Sequence, residues 1–261
     1  MERSALVLSV VSGKGGVGKT VVSSNLAYIA AKEFNLKTLL IDANITSSHL
    51  SSIMRIPTFS NLNELLAGSK LDPSKFYVYG NALHVLPSKV FLGKKDYQNI
   101  VNLKKVVGKL RKNYDLIVLD SAPGIGREAL SAIEVSDICV IVTTPYSPAI
   151  ADVLRVKDVL KELKEKRAKL ILNMVEKKSY EINEEEVKYI TGFPIVGTLP
   201  FDDKVYDSVA TGELIAKAYP FSKFTKNLRK ITYDILSEEF YIEERLSFWQ
   251  KVFLRIKGLL V

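Results

Sequence analysis

The sequence predicts a three-layer α/β domain, in which a mostly parallel, twisted sheet carries helices on both faces. Short apolar runs that are typical of strands alternate along the chain with helix-like segments, and this alternation requires crossover connections between parallel strands. The run 38–42 has apolar residues on both of its alternating sides, as strands do when helices cover both faces of a sheet. Further strands are predicted at 5–11, 83–86, 116–120, 138–144, 170–173 and 195–198.

The predicted helices follow the strands in order. The segment 19–32 comes directly after a glycine-rich turn and places Leu26, Ile29 and Ala30 where they can face a sheet. Further helices are predicted at 101–112, 150–163, 184–190 and 221–240. Because ligands of such sheets bind at the carboxyl ends of the strands, we expect the functional residues to lie there.

Composition favours either one large α/β domain or a domain with a short appendage. The chain has 261 residues, of which 47% are apolar and 25% charged. Its one cysteine, Cys139, allows neither an internal disulfide nor a cysteine cluster for zinc or iron–sulfur, so we expect a cytoplasmic protein. No run approaches the roughly 18 apolar residues of a membrane span. The formal net charge of +8 fits an acidic partner, either anionic lipid or nucleic acid, or simple solubility.

A phosphate-binding loop is predicted between the first strand and the first helix. Residues 13–20 match the pattern G-x-x-x-x-G-K-[ST]. Glycines let successive backbone N–H groups point at phosphate oxygens, and the following helix offers its positive N-terminus. In this pattern Lys19 neutralises the β- and γ-phosphates, and the Thr20 hydroxyl ligates Mg²⁺.

The loop also contains an early lysine, Lys14, and here the sequence resembles the MinD/ParA family of deviant Walker A ATPases, whose loop reads K-G-G-x-G-K-T. The resemblance implies a P-loop NTPase fold over about residues 5–238 and a homodimer in which Lys14 reaches the partner's ATP. From spacing alone, Lys14 could equally be a solvated lysine. The expected ATP-binding residues are Gly13, Lys14, Gly15, Gly16, Val17, Gly18, Lys19 and Thr20.

The strand 116–120 ends in Asp120, which is the Walker B arrangement for a carboxylate near Mg²⁺. We therefore expect Thr20 and Asp120 to be the metal residues. The segment 121–124 resembles the switch II of the family, in which Gly124 would sense the γ-phosphate.

The end of the strand 38–42 departs from the family pattern. The family usually carries D-x-D, but this chain has Asp42 followed by Asn44. A neutral amide cannot act as a general base, although its oxygen can orient water. We expect an ATPase that is slow or depends on a partner, with Lys14, Lys19, Asp42 and Asp120 as its catalytic residues. His49, in the switch I segment 45–50, is expected to be structural.

Adenine contacts are predicted at two strand ends. The resemblance implies that Asn173 bonds the base, and the run 196–202 resembles the family's V-G-x-I-P-x-D loop, which assigns Pro200 and Asp202 to the same site. The alternative for these residues is a strand end and an ordinary turn.

The C-terminal segment differs in composition from the rest. We expect an ATPase domain over 1–240 and an amphipathic tail over 241–261. Residues 245–261 carry four cations and no acid, and they place large apolar residues on one side of a helix. This profile favours an in-plane helix on an anionic membrane, contacting it through Leu246, Trp249, Phe253 and Ile256. A final helix packed on the protein's own core, or in a partner's groove, is the alternative.

The sequence thus predicts a MinD-like, septum-site type of ATP-dependent switch, which dimerises, binds the membrane peripherally and positions a partner protein. A ParA-like DNA-partitioning ATPase is the first alternative, and a non-hydrolysing scaffold is the second. A metabolic kinase is also compatible with the loop alone. For DNA, the candidate patch is a basic helix face with Lys104, Lys105, Lys109, Arg111 and Lys112.

Overall fold

The computed structural model describes residues 4–89, 99–163 and 166–240. Within them the chain forms a sheet of eight strands in the order β3-β4-β2-β5-β1-β6-β7-β8. All neighbours are parallel except β3, which pairs antiparallel with β4 at one edge. The strands are β1 Leu6–Val11, β2 Thr38–Ala43, β3 Tyr77–Tyr79, β4 Leu83–Leu86, β5 Leu116–Ser121, β6 Ile138–Thr143, β7 Arg167–Val175 and β8 Ile195–Pro200.

Helices cover both faces of this sheet, as predicted. They are α1 Lys19–Lys32, α2 Leu50–Met54, α3 Leu62–Leu66, α4 Leu103–Leu110, α5 Arg127–Val135, α6 Ser147–Glu162, α7 Glu184–Thr191, α8 Lys204–Thr211, α9 Ile215–Ala218 and α10 Lys223–Ser237, with 3₁₀ turns at Pro73–Lys75 and Ile100–Asn102. No helix among the described residues is long and apolar enough to cross a membrane.

Alternate residues of the central strands feed the cores on opposite faces. In β1, Leu8 and Val10 pack with α1 and α10, whereas Val7 packs with α4 and Val11 with α6. This two-residue period is the reason that a strand between two helical layers is apolar on both sides. Strand β1 lies at the centre, between β5 and β6, so the loop that follows it opens at the middle of the carboxyl edge.

The predicted fold class is confirmed, and the predicted strands differ from the observed ones by no more than a few residues at either end. The edge strand β3, the helix α5 and the short helices α2, α3, α8 and α9 were not predicted. The predicted tail, 241–261, lies outside the described residues, and the predicted boundary at 240/241 coincides with their end.

The basic face of α4 is smaller than expected. Lys104, Lys105, Lys109 and Lys112 are exposed, but Arg111 folds back between the layers. Its guanidinium donates two hydrogen bonds to the Asp137 carboxylate, at 2.9 and 3.0 Å, and two more to backbone carbonyl oxygens. Arg111 therefore does not belong to a free cationic patch.

A buried ion pair fastens α10 to the end of α1. Arg229 is fully buried, and its guanidinium donates to both carboxylate oxygens of Glu33 and to the Pro220 carbonyl at 3.2 Å. Nearer the start of α1, the Asn25 side-chain oxygen accepts a hydrogen bond from the Ala216 N–H at 2.9 Å. The helix that follows the phosphate loop is thus bound to the helices that lead to residue 240.

We expect Arg229→Ala to lower the free energy of unfolding by about 3 kcal/mol, because it leaves the Glu33 carboxylate without its cation. Urea unfolding followed by circular dichroism measures this. The matched control is Lys161→Ala, which breaks an exposed pair with Asp158 and should change stability by no more than about 0.5 kcal/mol. Equal effects of the two substitutions would contradict the assignment of Arg229 as an anchor.

Candidate functional site

The loop between β1 and α1 has glycines where the structure leaves no room for a side chain. A Cβ added to Gly13 would lie 2.5 Å from the Cβ and carbonyl oxygen of Asp152 in α6. Gly18 has a φ of 83° and caps α1, and its added Cβ would lie 2.3 Å from the Asn173 amide nitrogen. The loop is therefore held between α6 on one side and the end of β7 on the other.

This loop lines one open cavity of about 360 Å³ at the carboxyl edge of the sheet. The start of α1 contributes unpaired N–H groups to it, and no acidic residue occupies the first turn of that helix. Such a helix start favours an anion. The lining includes Ser12 and every residue from Lys14 to Val21, with Asn44, Ser47, His49, Ile53, Pro123 and Met174 around the rim. Gly13 packs behind the loop.

Lys19 and Asp120 form a buried ion pair at the bottom of the site. The Lys19 Nζ lies 2.8 Å from Asp120 Oδ1, and both side chains are almost fully buried. Lys14, at the mouth of the same cavity, is half-buried and has no ion pair within the described ranges. The Lys14 ammonium is thus available to a ligand or a partner. The Lys19 ammonium must first leave Asp120 before it can bind a ligand.

Asp42 lies beside Asp120 in adjacent strands and is fully buried. Burial, followed by the nearby Asp120 carboxylate, raises the pKa of Asp42 to about 7. Ser48 donates to Asp42 Oδ2 at 2.6 Å and the Asn44 N–H donates to Oδ1 at 3.1 Å. These two hydrogen bonds favour the charged form and oppose the rise.

The donor set fits a magnesium ion. The described residues contain no cluster of three or more His, Cys, Asp or Glu that could hold a metal by itself. They do place two buried carboxylates next to a single lysine and beside the start of α1, where Thr20 lies. Mg²⁺ is usually held by one or two carboxylates together with phosphate oxygens rather than by an all-protein cage. A cation would offset the burial and the repulsion from Asp120 that raise the pKa of Asp42.

Serines in and near switch I, which the sequence did not reveal, hold Asp42 in place. The Ser48 hydroxyl contacts the Ser88 carbonyl as well as Asp42, and the Ser88 hydroxyl donates to the Asp42 carbonyl at 2.7 Å. Asn44 donates from its side chain to the Ser47 carbonyl at 2.6 Å, while its side-chain oxygen is buried without a partner. This free oxygen, at the rim of the phosphate cavity, is an acceptor suited to a water molecule.

Switch II is docked on the phosphate loop. The Gly124 N–H donates to the Ser12 carbonyl at 2.9 Å, so this amide does not point at a phosphate position here. At the start of α5, Glu128 is buried and accepts a hydrogen bond from the Thr46 hydroxyl at 3.2 Å. Burial raises the pKa of Glu128. This contact joins switch I to the helix that follows switch II.

The three predicted adenine residues come together in a second, mostly apolar cavity of about 260 Å³ next to the first. Asn173 donates from its amide to the Val17 carbonyl at 2.8 Å. Asp202 accepts from the Lys204 and Phe224 N–H groups at 3.1 and 3.4 Å. Pro200 lies on the cavity wall. His49, expected to be structural, lies at the N-terminus of α2 and lines the phosphate cavity.

Known proteins resemble the whole domain. A family model named ParA, described as NUBPL iron-transfer P-loop NTPase, matches residues 4–236. An uncharacterised ATP-binding protein of Methanocaldococcus jannaschii is 30% identical over 258 residues, which cover 98% of this chain and 97% of that protein.

Two solved structures have the same fold. The septum site-determining protein MinD of Pyrococcus horikoshii, complexed with Mg-ADP, superposes with a TM-score of 0.82 at 25% identity and covers 94% of this chain and 100% of that one. A chain of the MinC:MinD cell division protein complex of Aquifex aeolicus superposes with a TM-score of 0.78 at 27% identity, covering 90% and 98%.

We expect Asp42→Asn to stabilise the metal-free protein increasingly as pH rises. The pKa of Asp42 is near 3.8 when unfolded and about 7 when folded, so the folded wild type binds more protons than the unfolded chain between these values. Its stability therefore falls across that window, whereas an amide at this position does not titrate. Urea unfolding in EDTA at several pH values, from about 5 to about 8, gives the difference. Parallel pH profiles for the two proteins would refute the assignment.

Proposed function

Because the chain belongs to the ParA family of P-loop NTPases and has a MinD-like fold, we propose that it is an ATP-dependent switch of the MinD type. In this proposal it binds Mg-ATP, hydrolyses it slowly, dimerises, and associates with the membrane through residues 241–261 to position a partner protein. The observation that carries the proposal is the pair of adjoining cavities, one along the phosphate loop beside Lys19 and one mostly apolar at the ends of β7 and β8.

Phosphate binding is assigned to the loop and the start of α1. The backbone N–H groups of residues 13–20 and the Lys19 ammonium neutralise the phosphates, while Thr20 and Asp120 hold Mg²⁺ with support from Asp42. The ion supplies charge neutralisation on the phosphate oxygens. When nucleotide enters, Lys19 would leave Asp120 for phosphate, and the Asp120 carboxylate would then be able to hold the metal. Mg-ADP in the Pyrococcus MinD supports the same ligand class for this chain.

Slow hydrolysis is proposed from Asn44. Its free, buried side-chain oxygen can accept a hydrogen bond from water and orient it, but the amide cannot take up the proton. A site that positions water but has no general base should hydrolyse ATP slowly unless a partner protein supplies the missing group. A non-hydrolysing scaffold is the limiting case of the same argument.

Dimerisation is proposed through Lys14 and the switch segments. Lys14 lies at the mouth of the phosphate cavity, with no ion pair among the residues that the structure describes, so its ammonium could reach the phosphates of a facing subunit. One amphipathic tail should bind lipid weakly and reversibly, whereas two tails on one dimer raise the effective concentration of the second. ATP would in this way control attachment to the membrane.

DNA binding is the second candidate. Four exposed lysines on or next to α4, Lys104, Lys105, Lys109 and Lys112, favour it, although Arg111 is engaged by Asp137. We do not propose iron transfer. The chain has a single cysteine, Cys139, whose thiol is buried beside the Ser9 and Ser136 hydroxyls, and this burial raises its pKa. A cluster carrier needs exposed thiolates.

We expect Asn44→Asp to raise the rate of ATP hydrolysis by roughly tenfold or more, because a carboxylate can accept the proton of the attacking water. Phosphate release at saturating Mg-ATP measures it. Asn44→Ala should lower the rate instead, because it removes the oxygen that orients water. A wild-type turnover equal to that of Asn44→Asp would count against the role given to this residue.

Membrane binding is tested by sedimenting anionic liposomes with the full chain in ADP, ATP or a non-hydrolysable ATP analogue. We expect most protein in the pellet with the analogue and least with ADP, because only the dimer presents two tails. Phe253→Glu should abolish pelleting. Gln250→Glu, which adds the same charge on the predicted polar side, should reduce it much less.

Equal effects of Phe253→Glu and Gln250→Glu, or pelleting that ignores the nucleotide, would refute the membrane switch. Retention on duplex DNA in place of liposomes, lost in Lys104→Glu, would favour the DNA-partitioning alternative. That retention should fall steeply with salt.

A further inference from the structure

The backbone near the end of strand β7 is strained at Met174, a residue to which phosphate and magnesium binding assign no role. Met174 has a φ of 58°, in the left-handed region that side chains other than those of Asn and Asp rarely occupy. The pairing of β7 with β8 shifts register between Leu172 and Val175, so Met174 sits in a bulge. Strain of this kind persists only where the surrounding structure enforces it, and it concentrates at ligand sites.

The bulge turns the Met174 side chain onto the phosphate loop. A Cβ added to Gly18 would lie 3.4 Å from the Met174 Cε, so the thioether methyl lies against the Gly18 backbone. Met174 lines both the phosphate cavity and the apolar cavity, and among the described residues only Gly18, Val21 and Ile53 do the same. A molecule that fills both cavities must therefore pass over Gly18 and contact the side chains of Val21, Ile53 and Met174.

Few side chains that line the apolar cavity are polar, and two of them are already partly hydrogen-bonded. The Asn173 amide donates to Val17, and Asp202 accepts from two backbone N–H groups. Most of the remaining wall is apolar and includes Phe201, Val205 and Tyr206. Affinity for the base should therefore come mainly from apolar contact, for which a polarisable thioether is well suited because sulfur packs favourably on aromatic rings.

We propose that the strained bulge makes Met174 a nucleoside clamp, which holds the base and ribose of the nucleotide against Gly18 and Ile53. This inference rests on the proposed function, since it requires that a nucleoside triphosphate spans the two cavities. The left-handed backbone at Met174 aims the side chain across the junction of the cavities. An extended residue at this position would continue the β7 ladder and point elsewhere.

The test compares Met174→Gly with the wild type for binding of Mg-ATP and of Mg-tripolyphosphate, both by calorimetry. Glycine removes the side chain and also the backbone strain. We expect Met174→Gly to melt at a higher temperature, to bind Mg-ATP roughly tenfold more weakly, and to bind Mg-tripolyphosphate as the wild type does. Met174→Leu keeps both the apolar bulk and the strain, and it should retain most of the ATP affinity.

The matched control is Lys177→Gly. Lys177 has a φ of 62° three residues further along the same connection, and its side chain lines neither cavity. This variant should also gain stability but keep the ATP affinity of the wild type.

The clamp is refuted if Met174→Gly binds Mg-ATP as tightly as the wild type, or if it loses ATP and tripolyphosphate affinity equally. A wild type that binds neither ligand would instead overturn the proposed function.

Discussion

The carboxylates of Asp42 and Asp120 are buried with a single ammonium, that of Lys19, where β2 and β5 end. The rest of the site is arranged around this excess of negative charge. Lys19 neutralises Asp120 at 2.8 Å, while Asp42 accepts hydrogen bonds but has no ion pair of its own among the described residues, and its pKa is raised. A buried carboxylate without a cation is costly in an apolar sheet. The arrangement therefore lacks about one positive charge, which a divalent ion beside a phosphate chain would supply.

The sheet and the phosphate loop could be predicted because their signals are local. An apolar run, a glycine-rich turn and a following helix are all legible within a few residues. The strand Tyr77–Tyr79 is too short for such periodicity, and the sequence did not reveal it. Ser48 and Ser88 were missed for another reason, because a serine acquires a role only from what it contacts, and Ser88 reaches Asp42 from a distant part of the chain.

Met174 and Gly13 also owe their roles to contacts that the local sequence does not show. The motif assigns Gly13 to the phosphate loop. The steric reason for a glycine there is the close approach of Asp152, far along the sequence. Nothing in the sequence marks Met174, since left-handed positions are ordinarily recognised by glycine or asparagine. Arg111 was placed on a basic surface because a helical wheel cannot foresee that Asp137 binds its guanidinium. In each case the missing information is a contact between distant segments.

Several energetically unfavourable features of the described residues lie in or near the two cavities. Asp42 has a raised pKa, the Asn44 and Glu128 side chains each have a buried oxygen without a partner, and Met174 has a left-handed backbone. Each would lower stability on its own. Helix α1 starts at this region and is fastened to α10 through Glu33 and Arg229. A ligand that reduces these free-energy penalties therefore stabilises the native state by linkage. Because α1 begins at the site and is bound to α10, ligand binding also stabilises the packing of the helix that precedes residue 241.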